Sequence, residues 1–552
     1  MSEDSSPVIR STTPRTDVRA AAVIAVFILV ATGRALFVDN SVIFHDEYVY
    51  KISGDRHADQ SMVLARRLAE QIPNRLYLKV FGLTSELGSN AYVGARLLNV
   101  MFWALGLWAL FRLAQRTGLS DQRSLGFLVV ASLLPSSVYT HFFMPEAMYF
   151  AMFSAAALAL FTGVVRERTL PIVLAGAMMG LMYFVKPHAL ALIAATGFFL
   201  LLLPGRVAFL VRFVLGVAPI YGGGKWLISE VSTSGAGLGV YRSMLEGLML
   251  NLTKPNLSAE LFEVARGHLL FFMVAFGLSL VAAGAVLLPR LGLNRAPVPL
   301  EFRRLALLVL VLFAALGSMA VVFTALVGEL GRIHSRYYFF LFPLALLLLF
   351  HLPTLRFSAA GRVVGALVVI GGAAGLALWG PSYSWVLHIS LVGDGPEWGF
   401  VFGRGPQLYL LMAGLVVTGL WTVWRTRAVF VYLAVLGACF FLSSTYVTSA
   451  ERGTFRGLYT TGREASAVET YLGREAMQRA MVIGENRDAV SKFLFGLSTT
   501  PFAEQVPDHT DLTALLSGRP EVTSIVVLFD GYVIPSEFSC SFQIPGAKVC
   551  HR

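Results

Sequence analysis

The chain of 552 residues is 56% hydrophobic and only 14% charged, with a mean hydropathy of +0.68, which excludes a soluble globular protein. Its net charge of +11 would point to nucleic acid in a soluble chain. Here the arginines fall in short loops between apolar runs, where they set membrane topology, so no nucleic-acid partner is expected.

In chain order, residues 1–19 form a polar segment with Arg10, Arg15 and Arg19. The first apolar run begins near Ala20 and meets no small-residue cleavage site before Arg34, so it reads as a retained helix and not a removed signal. Apolar runs of roughly 17 to 22 residues then recur, each long enough to cross a bilayer, and their number is about thirteen. They make residues 20–447 a polytopic helical membrane domain. Basic loops carry Arg112, Arg116 and Arg123; Arg166 and Arg168; Arg206 and Arg212; Arg290, Arg295, Arg303 and Arg304; Arg356 and Arg362; Arg425 and Arg427. Acids in those loops are few: Asp121, Glu167 and Glu301. By the positive-inside rule these loops and the N-terminus face the cytoplasm of a plasma (inner) membrane, and an odd number of spans puts the C-terminus outside.

The opposite face collects the unusual residues. A long first loop, Asp39 to Asn90, opens with His45-Asp46-Glu47. Adjacent carboxylates beside an apolar span repel each other and are costly there, so they usually serve proton abstraction, metal binding or an ion pair. In the same loop Ser61 to Ile72 has apolar residues at helical spacing and suits a helix lying in the interface, and Leu76 to Leu83 suits a second. Later loops add His141 to Glu146, then Lys186-Pro187-His188, then Arg332, His334, Arg336 and Tyr337. Each has a plainer reading: a solvated loop for Asp46 and Glu47, a capping acid for Glu146, a snorkelling Lys186, a helix anchor in Arg336.

From Thr448 the composition turns polar, and residues 448–552 read as a small α/β domain outside the membrane. Ala480–Ile483 and Ser524–Phe529 read as strands, Arg487–Leu497 as an amphipathic helix, and Asp511–Leu516 as a helix start. Such a tail is expected to guide acceptor choice without contributing chemistry. Cys439 lies in an apolar run and reads as packing; Cys540 and Cys550 form a disulfide if the tail meets an oxidising compartment.

Glycosyl transfer from a polyprenyl-phosphate sugar needs a carboxylate to take the acceptor proton and cations to hold the departing phosphate. Asp46 and Glu47 can supply the first, and Lys186, His188, Arg332, His334 and Arg336 the second. Glu146 can orient the acceptor or bind a divalent ion.

With these residues in this order, the chain resembles the GT-C glycosyltransferases, in the branch of protein O-mannosyltransferases and the aminoarabinose transferases of lipid A. The matching features are Asp46-Glu47 in a long first loop, Lys186-Pro187 at a helix end, and Arg336-Tyr337 ahead of an apolar run and Pro343. The resemblance implies an enzyme that passes a sugar, with inversion, from a polyprenyl monophosphate to a lipid-linked glycan, lipopolysaccharide or cell-envelope polysaccharide. It implies Asp46 and Glu47 as catalytic residues. His45, Glu146, Lys186, His188, Arg332, His334, Arg336 and Tyr337 would bind substrate. A divalent cation, magnesium or manganese, would fall to Asp46, Glu47 and Glu146 if one is used. The competing expectations are an O-antigen polymerase or ligase and a transporter or flippase of a lipid-linked substrate. Arg34 and Arg96 near span ends give the transporter reading little, since it calls for paired polar sites within spans.

Overall fold

Helices make up nearly every element before Ala480, as hydrocarbon demands, because each backbone N–H and C=O there must be satisfied within its own segment. The computed structural model describes residues 14–37, 45–54, 74–229, 256–327, 333–379, 395–398, 406–454, 456–485, 489–490, 493–494, 496–497, 501–528 and 531–552. The expected interfacial helix Ser61–Ile72 and the cation Arg332 lie outside these residues, as do residues 487, 488, 491, 492 and 495 of the expected helix Arg487–Leu497.

The α-helices are α1 (Pro14–Phe37), α2 (His45–Gly54), α3 (Arg75–Gly82), α4 (Ala91–Arg116), α5 (Asp121–Ser132), α6 (Glu146–Arg166), α7 (Thr169–Tyr183) and α8 (Ala189–Leu201). They continue as α9 (Arg206–Ser229), α10 (Leu257–Leu287), α11 (Leu300–Val327), α12 (Phe342–His351), α13 (Ala359–Trp379), α14 (Pro406–Trp424), α15 (Val429–Thr454), α16 (Arg456–Leu472), α17 (Arg474–Gln478) and α18 (Thr513–Ser517). The strands are β1 (Ala480–Gly484), β2 (Phe502–Gln505), β3 (Ser524–Leu528), β4 (Ser539–Ile544) and β5 (Ala547–His551). Among the described residues eight helices are long and apolar enough to cross a membrane, and the bent pair Asp121–Ser132 and Pro135–His141 makes a ninth if it is one span. Four shorter apolar helices accompany them, Thr169–Tyr183 and Ala189–Leu201 among them. The protein is therefore a multi-pass membrane protein.

The chain divides into two compact units: one of residues 1–31, 99–140 and 145–448, the other of residues 32–98, 141–144 and 449–552. The second begins its last segment one residue past the expected start of the tail, and it also takes in the first loop. In the first unit, glycines let α7 and α9 touch backbone to backbone. A Cβ on Gly176 would lie 2.2 Å from the Phe213 carbonyl oxygen, and one on Gly216 would lie 2.0 Å from that of Val173. Small residues at such crossings are the usual means of close helix packing where lipid offers no hydrophobic drive. Polar ties fasten other ends: Thr16 donates to Asp121 at 2.7 Å and Arg112 pairs with Asp17 at 2.9 Å.

In the second unit the strand order is β2-β1-β3-β5-β4. β1 runs parallel to β2 and β3, while β5 is antiparallel to β3 and β4. Alternate residues face two cores. Val482, Val526 and Val549 lie in one with Val468 and Phe493; Met481, Ile525 and Val527 lie in the other with Leu512 and Leu516. Burial on both faces explains why β1 and β3 read as unbroken apolar runs in the sequence. Just ahead of α18, Asp511 accepts from the Thr513 amide at 2.9 Å and from its hydroxyl at 2.6 Å. Cys540 and Cys550 oppose each other in the β4–β5 ladder and are joined by a disulfide.

Candidate active site

Two clusters gather the candidate residues, one in each unit. In the first, Glu146 is the opening residue of α6, and no side chain caps that helix. Its carboxylate turns instead to Lys186, whose Nζ donates to Oε1 at 2.5 Å. Glu146 has no exposed surface and Lys186 keeps only 7% of its own. This is neither a capping acid nor a snorkelling lysine but a buried ion pair, in which each charge depends on the other for its solvation. Lys186 reaches that position because α7 ends at Tyr183 and the chain turns through Pro187 into α8.

Around the pair lie His188, Tyr149, Arg336 and Tyr337. The His188 ring sits 4.7 Å from that of Tyr149 and 5.7 Å from that of Tyr337. Lys186 Nζ is 6.0 Å from the centroid of Tyr337, and the Arg336 guanidinium is 5.5 Å from it. One ring is thus shared by two cations, an arrangement that holds them near each other by cation–π attraction. Arg336 and Tyr337 belong to the single 3₁₀ turn Ser335–Tyr337, where the Tyr337 ring packs 4.9 Å from that of Phe323 in α11. Burial, then the charges of Lys186 and Arg336, hold the His188 imidazole well below its ordinary range. Both of its ring nitrogens, and Glu146 Oε2, are buried without a hydrogen-bond partner among the described residues. Buried polar atoms left open in this way call for an explanation, and a polar ligand is one. His334 is nearby, its ring 5.8 Å from Tyr337, but its Nδ1 is engaged with Thr324 Oγ1 at 2.8 Å.

In the second unit α2 carries His45, Asp46 and Glu47. The side chains of His45 and Asp46 lie outside the described residues. Glu47 is fully buried. Its Oε1 accepts from the Phe143 amide at 2.6 Å and from the Tyr92 hydroxyl at 3.1 Å. Arg96, one helical turn after Tyr92, donates through Nε to the His141 carbonyl at 2.9 Å and through Nη1 to that of Ala35 at 3.2 Å. The aromatic rings of Tyr50, Tyr77, Phe81 and Phe143 pack edge to face around this point. A Cβ on Gly82 would lie 2.1 Å from the Gly54 carbonyl oxygen, so only glycine lets α3 approach the end of α2 this closely.

The structure therefore brings Glu146, Lys186, His188, His334, Arg336 and Tyr337 into one unit and Glu47 into the other. Sequence reasoning missed Tyr92, Tyr149 and Arg96 as site neighbours, although Tyr92 and Arg96 stand at the spacing that shares a helix face. It also missed Glu397, a fully buried acid in the turn Pro396–Trp398 whose Oε1 accepts from the Ser136 amide at 3.1 Å. Burial pushes its carboxyl up to about 7. No group of three or more His, Cys, Asp or Glu among the described residues could hold a metal ion. One oxygen of Glu47 and one of Glu146 are already engaged by protein donors.

No family model matches the chain, and no curated protein matches it in sequence. In structure it is similar to ArnT from Cupriavidus metallidurans bound to undecaprenyl phosphate, with a TM-score of 0.50 and 15% identity over 98% of each chain. The same ArnT in the apo state gives a TM-score of 0.49 at 15% identity, over 97% of each chain. An Archaeoglobus fulgidus oligosaccharyltransferase in the apo form gives 0.40 at 10% identity, over 92% of this chain and 69% of that one. Identity this low speaks for the fold alone. Over 98% of each chain, this protein shares the fold of ArnT.

Proposed function

We propose that this protein is a membrane glycosyltransferase that moves a sugar from a polyprenyl-monophosphate donor to an acceptor outside the cytoplasm. One observation carries the reading: two cations, Lys186 and Arg336, lie within 6.0 Å of the Tyr337 ring centroid, beside a buried His188 whose ring nitrogens have no hydrogen-bond partner among the described residues and an ion-paired Glu146. A phosphate group suits such a cluster. The guanidinium fork and the ammonium donate charge-assisted bonds to phosphate oxygens, and a neutral imidazole can add one N–H donor. The fold it shares with ArnT, solved with undecaprenyl phosphate, supports the same ligand class.

In the proposed reaction a carboxylate oxygen of Asp46 takes the proton of an acceptor hydroxyl. The acceptor oxygen then bonds to the anomeric carbon while the bond from that carbon to the phosphate oxygen breaks. The electron pair leaves with the polyprenyl phosphate, whose added negative charge Lys186 and Arg336 stabilise. Attack opposite the departing oxygen inverts the anomeric centre. Glu47, with one oxygen committed to the Phe143 amide and Tyr92 hydroxyl, holds the helix that bears the base. The acceptor is a lipid-linked glycan, lipopolysaccharide or cell-envelope polysaccharide.

The test is direct. Purified protein should carry a polyprenyl phosphate visible by mass spectrometry of its extracted lipids. It should also release polyprenyl monophosphate from a polyprenyl-phosphate sugar when an acceptor extract is added. Protein that binds no such lipid and releases none would sink the reading; translocation of an intact lipid-linked sugar without bond cleavage would replace it with a transporter.

A further inference from the structure

We infer that the C-terminal sheet is part of the machinery that positions the Asp46-Glu47 helix, acting through Tyr92 and Lys51. The inference deepens the proposed function by naming what holds the base in place, and it rests on that reading. The tail was expected to steer the acceptor and leave the chemistry alone; its contacts give it more to do.

The helix α2 is only ten residues long. Helices this short are marginal in water by themselves and take their stability from what they pack against. Two ties join α2 to the sheet end of the second unit. At its last turn, Lys51 Nζ donates to the Leu497 carbonyl at 2.8 Å. Leu497 is buried in the core on the Val482 face of the sheet. Near the start of the helix, the Glu47 carboxylate accepts from the Tyr92 hydroxyl at 3.1 Å. The Tyr92 ring packs against that same core. Tyr92 therefore has its ring in the sheet's hydrophobic cluster and its hydroxyl on the neighbour of the proposed base.

The other partners of Tyr92 fix its direction. The Arg96 guanidinium stacks over its ring at 4.1 Å from the centroid. Arg96 also donates to the His141 carbonyl, 3.3 Å from the Tyr92 hydroxyl, so the strap His141–Met144 is held by the same pair. With Phe143 donating to Glu47 from that strap, a shift of the sheet core by a fraction of an ångström must move the Tyr92 ring, the Glu47 carboxylate and the α2 backbone together. Asp46 is one residue from Glu47 on that backbone, and a base displaced by about 1 Å loses on the order of 100-fold in rate. Tyr92 and Lys51 are positioning residues: each acts on the base through another group.

The experiment uses the full-length protein with two variants that cut one tie each and leave the packing in place. Tyr92→Phe keeps the ring in the core and removes the hydroxyl. Lys51→Met keeps the stem and removes the ammonium, and Lys51→Arg is the rescue, since it still donates. Hydrogen–deuterium exchange is read over residues 45–54 and 141–144, and transfer is read as kcat and donor KM. Expected are exchange over 45–54 faster by about 10-fold in Tyr92→Phe and Lys51→Met at unchanged global melting, a kcat lower by about 10-fold at unchanged donor KM, and both recovered in Lys51→Arg. Unchanged exchange over 45–54 in both variants overturns the inference whatever the activity. Accelerated exchange in a protein whose parent performs no transfer leaves the coupling standing and removes the proposed function.

Discussion

The Lys186 ammonium lies 2.5 Å from Oε1 of Glu146, and the two side chains together expose almost nothing to solvent. A buried pair of this kind adds little net stability compared with apolar residues of the same size, yet breaking it strands a charge at a cost of about 3–5 kcal/mol. Lys186→Met or Glu146→Leu alone should therefore lower the melting temperature sharply. The double variant should recover most of that loss and still fail to bind a polyprenyl phosphate. Thermal melts and lipid co-purification read both; a double variant that is stable and loaded with lipid would leave the pair a structural tie only.

Asp46→Asn keeps the size of the side chain and removes the proton acceptor. Turnover should fall by about 100-fold or more, as expected for loss of a general base, while melting is unchanged. Glu47→Gln can still accept from the Phe143 amide, so its loss of turnover should be smaller, whereas Glu47→Ala should also destabilise, since it leaves that buried N–H without its acceptor. Near-normal turnover in both Asp46→Asn and Glu47→Gln removes the carboxylate from the mechanism.

Arg336→Ala should weaken donor binding and turnover together, because a charge-assisted bond to the leaving phosphate is lost. Arg336→Lys should restore only part, since the planar fork that stacks on Tyr337 is gone. A donor analogue that binds Arg336→Ala as tightly as the parent makes this arginine a helix anchor.

Glu397 supplies a pH dependence with a definite sign. Burial pushes its folded carboxyl up to about 7, from an ordinary 4.5, so the folded state holds the proton more tightly than the unfolded chain. The stability this lends is fully present below about pH 4.5 and is lost as pH rises through about 7. Glu397→Gln should flatten the melting temperature across that window. A parent and variant with parallel pH profiles would show that Glu397 does not titrate there.

The Cys540–Cys550 disulfide predicts the side of the membrane on which the sheet folds. A mass shift on reduction should report the pairing, and removing both cysteines should cost about 3 kcal/mol or less, as the closed loop is short. After reduction, a membrane-impermeant thiol label that reaches these cysteines in intact cells supports an extracytoplasmic sheet. Labelling only after lysis would put the sheet in the cytoplasm and reverse the proposed orientation.

Hydropathy alone was enough to show a membrane protein, because a bilayer fixes the length and polarity of whatever crosses it, and α1, α4, α6 and α10 follow that rule. It also exposed β1 and β3, whose residues are apolar on both faces. It did not expose β2, β4 or β5, whose burial is mixed and whose strand identity comes from the ladder each joins. The Asp46-Glu47 pair and the Lys186 and Arg336 cations stood out by type and position. What they do was decided in three dimensions. Glu146 meets Lys186 across 40 residues of chain and Glu47 meets Phe143 across 96, and hydrogen bonds reach only about 3 Å. No local pattern can encode contacts of that range; the sequence by itself determined which charges are present beside the apolar spans, and packing decided which of them meet.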